Sequence, residues 1–283
     1  MRMTLAAALC AMVCAGAGGA FAQDEDDWEF QHEPSLNQMV AAVRYDAGVA
    51  IVVQCRDNAL SAAVVGMPQG AGGFAVQATR TDGRTDIQTW APGPAPGIYL
   101  STVPARDIRF MRGGGLYSVR TPEGAPRALR TDFDLPTQSA NLDRVLAACG
   151  WGLTDDRDSL ARADGAVSFI NPEGQRFRGP PRASRPRASG GRPARPAPPP
   201  PGPPVLPPAE GQISCVVRAM QLTDCRADHP AAAAAGRPGA DSLRFMQRRP
   251  LFGDDPAAAE GKVLFLTGGT VTVIDYIATR PAG

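Results

Sequence analysis

Between residues 39 and 133 short apolar or alternating runs recur, separated by turn-forming residues. The runs are 39–45, 49–55, 60–65, 74–79, 85–90, 98–103, 116–120 and 128–133. Between them lie Asp46-Ala47-Gly48, Arg56-Asp57-Asn58, the glycines of 70–73, Thr81-Asp82-Gly83 and Gly113-Gly114-Gly115. Short period-two segments with Gly, Asp and Asn between them predict an antiparallel β-sandwich or open barrel. One segment has a different period. In 141–150 the apolar Leu142, Val145, Leu146 and Cys149 recur at helical spacing, and Gly150 suits a helix C-cap. The first domain is therefore expected to be mainly β with one closing helix.

A second patterned region begins at 210. Residues 213–217 (ISCVV) alternate as a strand, and 221–225 (QLTDC) begin its return after a turn near Ala219–Gln221. Residues 238–249 place Leu243 and Met246 on one helical face with arginines opposite. Residues 261–267 and 270–276 read as strands around Gly268-Gly269, a hairpin turn signal. This is the pattern of a small α+β domain.

The stretch between the two regions packs as neither. Residues 178–208 are dominated by proline, glycine and arginine, which favour extended polyproline II. At about 3.1 Å per residue such a segment reaches on the order of 100 Å. Charge divides in the same way. Residues 23–158 carry 18 acids against 12 bases, 159–209 carry 8 arginines against Asp164 and Glu173, and 210–283 balance at 8 and 8. The formal net charge of +1 thus conceals a basic connector between an acidic domain and a neutral one. Interspersed arginines keep such a connector soluble and extended. They also offer attraction to an anionic envelope surface. No aromatics interleave with them, so nucleic acid is not expected as a partner.

The first residues change the compartment. Met1-Arg2-Met3-Thr4 is a short basic start, residues 5–13 (LAAALCAMV) are apolar, and Ala20-Phe21-Ala22 is a small-x-small site before Gln23. Cleavage is expected between Ala22 and Gln23. The apolar run is shorter than the roughly 20 residues that span a bilayer, and no second run of spanning length follows. The expected layout is a signal peptide at 1–22, a disulfide-closed β domain at 23–158, an Arg/Pro-rich linker at 159–209 and a small domain at 210–283. Four cysteines remain after cleavage, and an exported chain favours disulfides over free thiols. Four cysteines allow three pairings, and the division of the chain selects Cys55–Cys149 and Cys215–Cys225. The first would fasten the helix over the sheet, and the second would join neighbouring strands.

Two resemblances extend this reading. The early Trp28, the strand with Tyr45, Gly48 and Cys55, and the element from Phe133-Asp134-Leu135-Pro136 to Cys149 resemble exported domains of the invasion-associated locus B type. They also resemble a periplasmic protein associated with type VI secretion. That resemblance implies a β-sandwich with a structural disulfide. From about 205 to 276, the order G-x-I-x-C-x-V, L-T-D-C-R, H-P, helix, then G-K-V-x-F is similar to the carboxy-terminal domain of TonB-type energy transducers in its cysteine-containing form. The proline-rich basic segment upstream fits the same family. The resemblance implies strand addition to a partner peptide, for which 270–276 is the candidate edge. It departs from the family in three places. A cleavable signal stands where a membrane anchor belongs, Met220-Gln221 stand where a glycine is expected, and only Leu206-Pro207-Pro208 remain of the receptor-contacting stretch.

No catalytic, cofactor or metal set emerges from the residue types. His32, Glu33 and Ser35 lie close together, but in a polar connection before the first strand and without a Gly-x-Ser-x-Gly elbow. His229, before Pro230, reads as a solvated loop residue. Asp155-Asp156-Arg157-Asp158, Asp132 with Asp134, and Asp254-Asp255 lack the spacing of a calcium loop. They read as caps and solvated loops. Trp28, Trp90, Tyr99 and Trp151 are expected in the core. The resulting expectation is a non-enzymatic periplasmic binding or scaffolding protein, partnered by an envelope protein or peptide. An accessory role in TonB-dependent transport is the alternative, and an envelope hydrolase is disfavoured.

Overall fold

The computed structural model describes residues 26–68, 73–93, 95–123, 125, 128–163, 212–229, 243–244, 246–247, 251 and 255–266. The signal segment with Ala22 and Gln23, the connector from 164 to 211, most of 238–249 and the strand expected at 270–276 lie outside them.

The protein is mainly β. Nine strands form one antiparallel sheet: β1 (Glu29–Glu33), β2 (Gln38–Arg44), β3 (Ala50–Arg56), β4 (Ala59–Val65), β5 (Phe74–Arg80), β6 (Thr85–Pro92), β7 (Tyr99–Ser101), β8 (Gly115–Arg120) and β9 (Arg130–Leu135). Their spatial order is β1-β2-β3-β4-β7-β6-β5-β8-β9. Eight of these correspond to the runs expected from the sequence. The β3–β4 hairpin turns through Asp57 and Asn58, both with positive φ, the geometry whose twist matches paired strands. Along β3, Ile51, Val53 and Cys55 face the core while the intervening residues are half-buried, as period two requires.

Three features differ from the sequence-based reading. His32 and Glu33 are not in a connection but in β1, paired with Met39 and Gln38. A second helix, α1 (Pro104–Met111), follows β7 directly, and every one of its residues is buried, Arg106, Asp107 and Arg109 included. The run expected as a strand through Val103 stops at Ser101, because Val103 already caps that helix. Strand β6 turns Asp86, Gln88 and Trp90 inward and leaves Ile87 half-exposed. The polar inner face of β6 and the buried charges of α1 belong to one network, described below.

The expected closing helix is α2 (Ala140–Ala148), which buries Leu142, Val145 and Leu146. Cys149 ends it and is bonded to Cys55 on β3, with Cα atoms 5.6 Å apart. Asp27 accepts from the backbone N–H of Asn141 at the first turn of α2, and the Asn141 amide donates to the carbonyl of Trp28. The two ends of the sheet approach each other here. The Tyr45 hydroxyl donates to the carbonyl of Asp134 in β9, 3.0 Å away, and the Tyr45 and Phe133 rings meet at 5.2 Å. Trp28, Trp90, Tyr99 and Trp151 all lie in this core.

A second sheet has its own core. It comprises β10 (Ile213–Arg218), β11 (Gln221–Ala227) and β12 (Val263–Leu266) in the order β11-β10-β12, all antiparallel. Between β11 and β12, Leu243, Arg244 and Met246 are helical, and Met246 is buried against the sheet. Where a glycine was expected at the β10–β11 turn, Ala219 and Met220 adopt φ of 50° and 57°, a left-handed conformation that side chains disfavour. The second disulfide, Cys215–Cys225, links β10 to β11 with Cα atoms 4.1 Å apart.

Candidate functional site

The chemistry of the chain concentrates where the two sheets meet. Helix α1 begins with Pro104 and turns Arg106 toward β6. There Nε and Nη2 of Arg106 hold the two carboxylate oxygens of Asp86 at 2.7 and 3.0 Å. Both side chains are almost wholly buried. A fork with both faces satisfied on one carboxylate still has N–H donors to spare. Arg106 gives them to the carbonyls of Arg157 and Leu160, each at 2.7 Å. The segment after α2 is thereby strapped across α1.

Asp107 repeats the arrangement one residue on. Its Oδ2 accepts from the Ser101 hydroxyl at 2.5 Å, and its Oδ1 accepts from Nη1 of Arg162 at 3.3 Å. The side chains of Asp107 and Arg162 are fully buried. Burial pushes the Asp107 carboxyl up to about 7, against the pull of Arg162 and the Ser101 hydrogen bond. The guanidinium groups of Arg106 and Arg162 lie over the Phe265 ring of β12 at 5.5 and 5.4 Å. Next to them the strap pairs with the second sheet. Ala163 N–H donates to Val263 O at 2.9 Å, and Val263 N–H donates to Ala161 O at 2.8 Å, a short parallel bridge on β12. Residues 159–163, expected as the start of the linker, are thus packed: burying Arg162 against Asp107 requires that backbone to be fixed.

Arg157 reaches furthest. Its carbonyl is held by Arg106, and its guanidinium crosses to the second sheet, donating to Ser214 O at 2.6 Å, to Ser214 Oγ and to Asp224 O. Those two carbonyls flank an irregularity in the ladder. Ser214 pairs with Arg226 but Val216 pairs with Thr223, so Asp224 and Cys225 together oppose Cys215. That is a β-bulge, and Asp224 takes φ of 47° within it. Around it Arg226 pairs with Asp155 and Asp156 at 2.6 and 2.7 Å, and buried Asp228 accepts from Gln212 at 3.0 Å and from Ser214. Arg226 holds the exposed Asp156 carboxyl down at about 2, whereas burial raises that of Asp228.

The last contact is made by His229. It is buried, not solvated: Nε2 lies 2.8 Å from the carbonyl of Cys149, and the ring meets Trp151 edge-on at 4.9 Å. It therefore sits on the C-terminal end of α2, beside the Cys55–Cys149 bond. Asp155 caps the 3-10 turn at 156–159, accepting from the Arg157 N–H at 2.9 Å, and Asp156 is exposed. Beyond the caps and solvated loops expected, aspartates 155, 156 and 158 are also partners of Arg109 and Arg226. Buried ion pairs recover little net free energy because both charges lose water, but breaking one strands the other. Such a junction therefore specifies geometry more than it adds stability.

Two other places were candidates for ligands. A cleft of about 570 Å³ is lined by Arg84, Arg109, Arg112 and the start of α2. Each of its arginines is already paired: Arg84 with Asp82, Arg109 with Asp158 and Arg112 with Asp143. Inside the large sheet an apolar cavity between Val64, Phe74, Trp90, Tyr117 and Phe133 measures about 20 Å³, the room of a single small group. At the β1–β2 turn the Ser35 hydroxyl donates to Glu33 at 2.7 Å, in an exposed position beside exposed His32. Among the described residues no three His, Cys, Asp or Glu side chains are grouped to hold a metal ion, and no helix is long and apolar enough to cross a membrane.

Local pattern did not reveal the junction, because its partners lie far apart in the chain. Arg162 and Asp107 are 55 residues apart, and Arg157 and Ser214 are 57 apart. No protein-family model matches the chain, and no curated protein or solved structure matches it either.

Proposed function

We propose that this chain is an exported binding or scaffolding protein of the cell envelope, whose large sheet holds the small one in a fixed pose for a partner. The observation that carries the reading is the position of Arg157, gripped through its backbone by Arg106 and bonded through its side chain to Ser214. A junction that buries this many charges constrains relative position, and that is a property of use to a scaffold. Two disulfides, one fastening α2 to the large sheet and one within the small sheet, suit an oxidising compartment and support the periplasm as its place. Support for a TonB-C-like small domain comes from its strand, strand, helical turn, strand order. On that reading an envelope protein or peptide adds a strand at 270–276, and the Arg-rich linker contacts anionic envelope material.

Affinity capture from envelope extract tests the proposal. Wild-type protein should retain a saturable partner, and Arg157→Ala should retain markedly less of it. Turnover of an envelope polymer by the purified chain, with no stoichiometric partner, would overturn the binding reading.

A further inference from the structure

The bulge beside Arg157 sets the register of the outer half of β11. In that half lie Arg226, which pairs with Asp155 and Asp156, and beyond it His229, which caps α2. Without the bulge the register of the first half, Val216 opposite Thr223, would continue and place Ser214 opposite Cys225. A slip of one residue turns every following side chain to the other face. It would also withdraw the Asp224 carbonyl from Arg157 and return Asp224 from its left-handed φ to ordinary extended backbone, a relaxation that favours the slip. The contacts of Arg157, Arg226 and His229 oppose it, and so does a covalent link: Cys225 is bonded to Cys215 on the neighbouring strand, inside the bulge.

We propose that the Cys215–Cys225 disulfide is a redox-controlled latch on the docking of the two sheets. Its reductant is a dithiol. One thiolate of the dithiol attacks Sγ of Cys225, the less buried of the pair, forming a mixed disulfide and releasing the Cys215 thiolate. The second thiol of the reductant then displaces Cys225. Two electrons and two protons pass to the protein, and the reductant leaves as its own disulfide. With the cross-link gone β11 slips, Arg157 loses Asp224 O, Arg226 and His229 lose their partners, and the small sheet leaves the junction while β10 and β12 stay paired. The β10–β12 ladder runs from Ile213 opposite Leu266 to Val216 opposite Val263 without a shift, so it does not depend on the bulge.

The inference rests on the docked pose proposed above, and the experiment separates the two. Amide hydrogen exchange is measured on the full chain as wild type, as Cys215→Ala/Cys225→Ala, which leaves Cys55–Cys149 intact, and as Arg157→Ala. The latch predicts at least tenfold faster exchange at Ala163 and Val263, the amides that bridge the sheets, in both variants, with β10 amides still protected. Unchanged exchange at Ala163 and Val263 in the double-cysteine variant overturns the latch. So does loss of β10 protection in that variant, which would make the disulfide a simple fold staple. Unchanged exchange in Arg157→Ala overturns the docked pose itself.

Discussion

Arg157 donates through Nη1 to the carbonyl oxygen of Ser214, 2.6 Å away and on the other sheet. Its guanidinium is almost wholly buried, so those bonds form where water cannot replace them. Removing it leaves the buried carbonyl of Ser214 with a partner lost, at about 1–3 kcal/mol, and takes a second bond from the part-buried carbonyl of Asp224. Arg157→Ala is therefore expected to weaken docking by about five-fold to about 150-fold. Arg157→Lys should not restore it, because a single ammonium cannot reproduce the planar fork that spans two strands. Equal junction protection in the two substituted proteins and in wild type would contradict this.

Acidity acts through Asp107. The folded chain keeps its proton up to about pH 7, whereas an ordinary aspartate releases it near 3.8. Stability should therefore fall as pH rises from about 4 to about 7 and level off above, since over that window the unfolded chain binds fewer protons. Asp228, also raised by burial, contributes in the same direction. Urea unfolding across this range should show a slope that Asp107→Asn reduces by up to one proton. An undiminished slope in that variant would assign the proton elsewhere. Asp86, Arg106 and Arg162 surround Asp107 and stay in place in this test.

The two disulfides are expected to differ in weight. Cys55 and Cys149 are 94 residues apart, and Cys215 and Cys225 are 10 apart. On the chain-entropy account the first contributes about 4–5 kcal/mol and the second about 2.5–3 kcal/mol. Thermal unfolding of Cys55→Ala/Cys149→Ala should show the larger drop in Tm. A larger drop for the Cys215–Cys225 pair would place its weight in the junction and not in the unfolded chain.

The β10–β11 turn is improvable. Ala219 and Met220 both adopt left-handed φ, and Met220 is half-exposed. Met220→Gly should raise stability by about 1 kcal/mol by removing the Cβ penalty. Denaturant midpoints would register this, and a lower midpoint would show that the Met220 side chain makes a stabilising contact.

The strands whose inner residues are apolar, such as β3 with Ile51 and Val53, were legible from period two alone. So was α2, from Leu142, Val145 and Leu146. Strand β1 was not, because Phe30 is its one buried residue among polar neighbours. Helix α1 was hidden for a stronger reason. Its Arg106, Asp107 and Arg109 look like a solvated face until Asp86, Arg162 and Asp158 arrive from elsewhere to neutralise them. Arg162 and His229 were misread on the same ground: a charged or polar residue is buried only when its partner is present, and here the partners are supplied by tertiary contacts. The candidate site was thus nearly invisible in the chain, whereas the sheet that carries it was mostly visible.

Residual dipolar couplings test the central claim most directly. Backbone N–H couplings from β1–β9 and from β10–β12 are measured on the intact chain in one alignment medium. The Arg157 junction predicts that a single alignment tensor fits both sheets, and that Arg157→Ala splits it into two. Two unequal tensors in the wild-type protein would show that the sheets reorient independently, and would contradict a fixed pose.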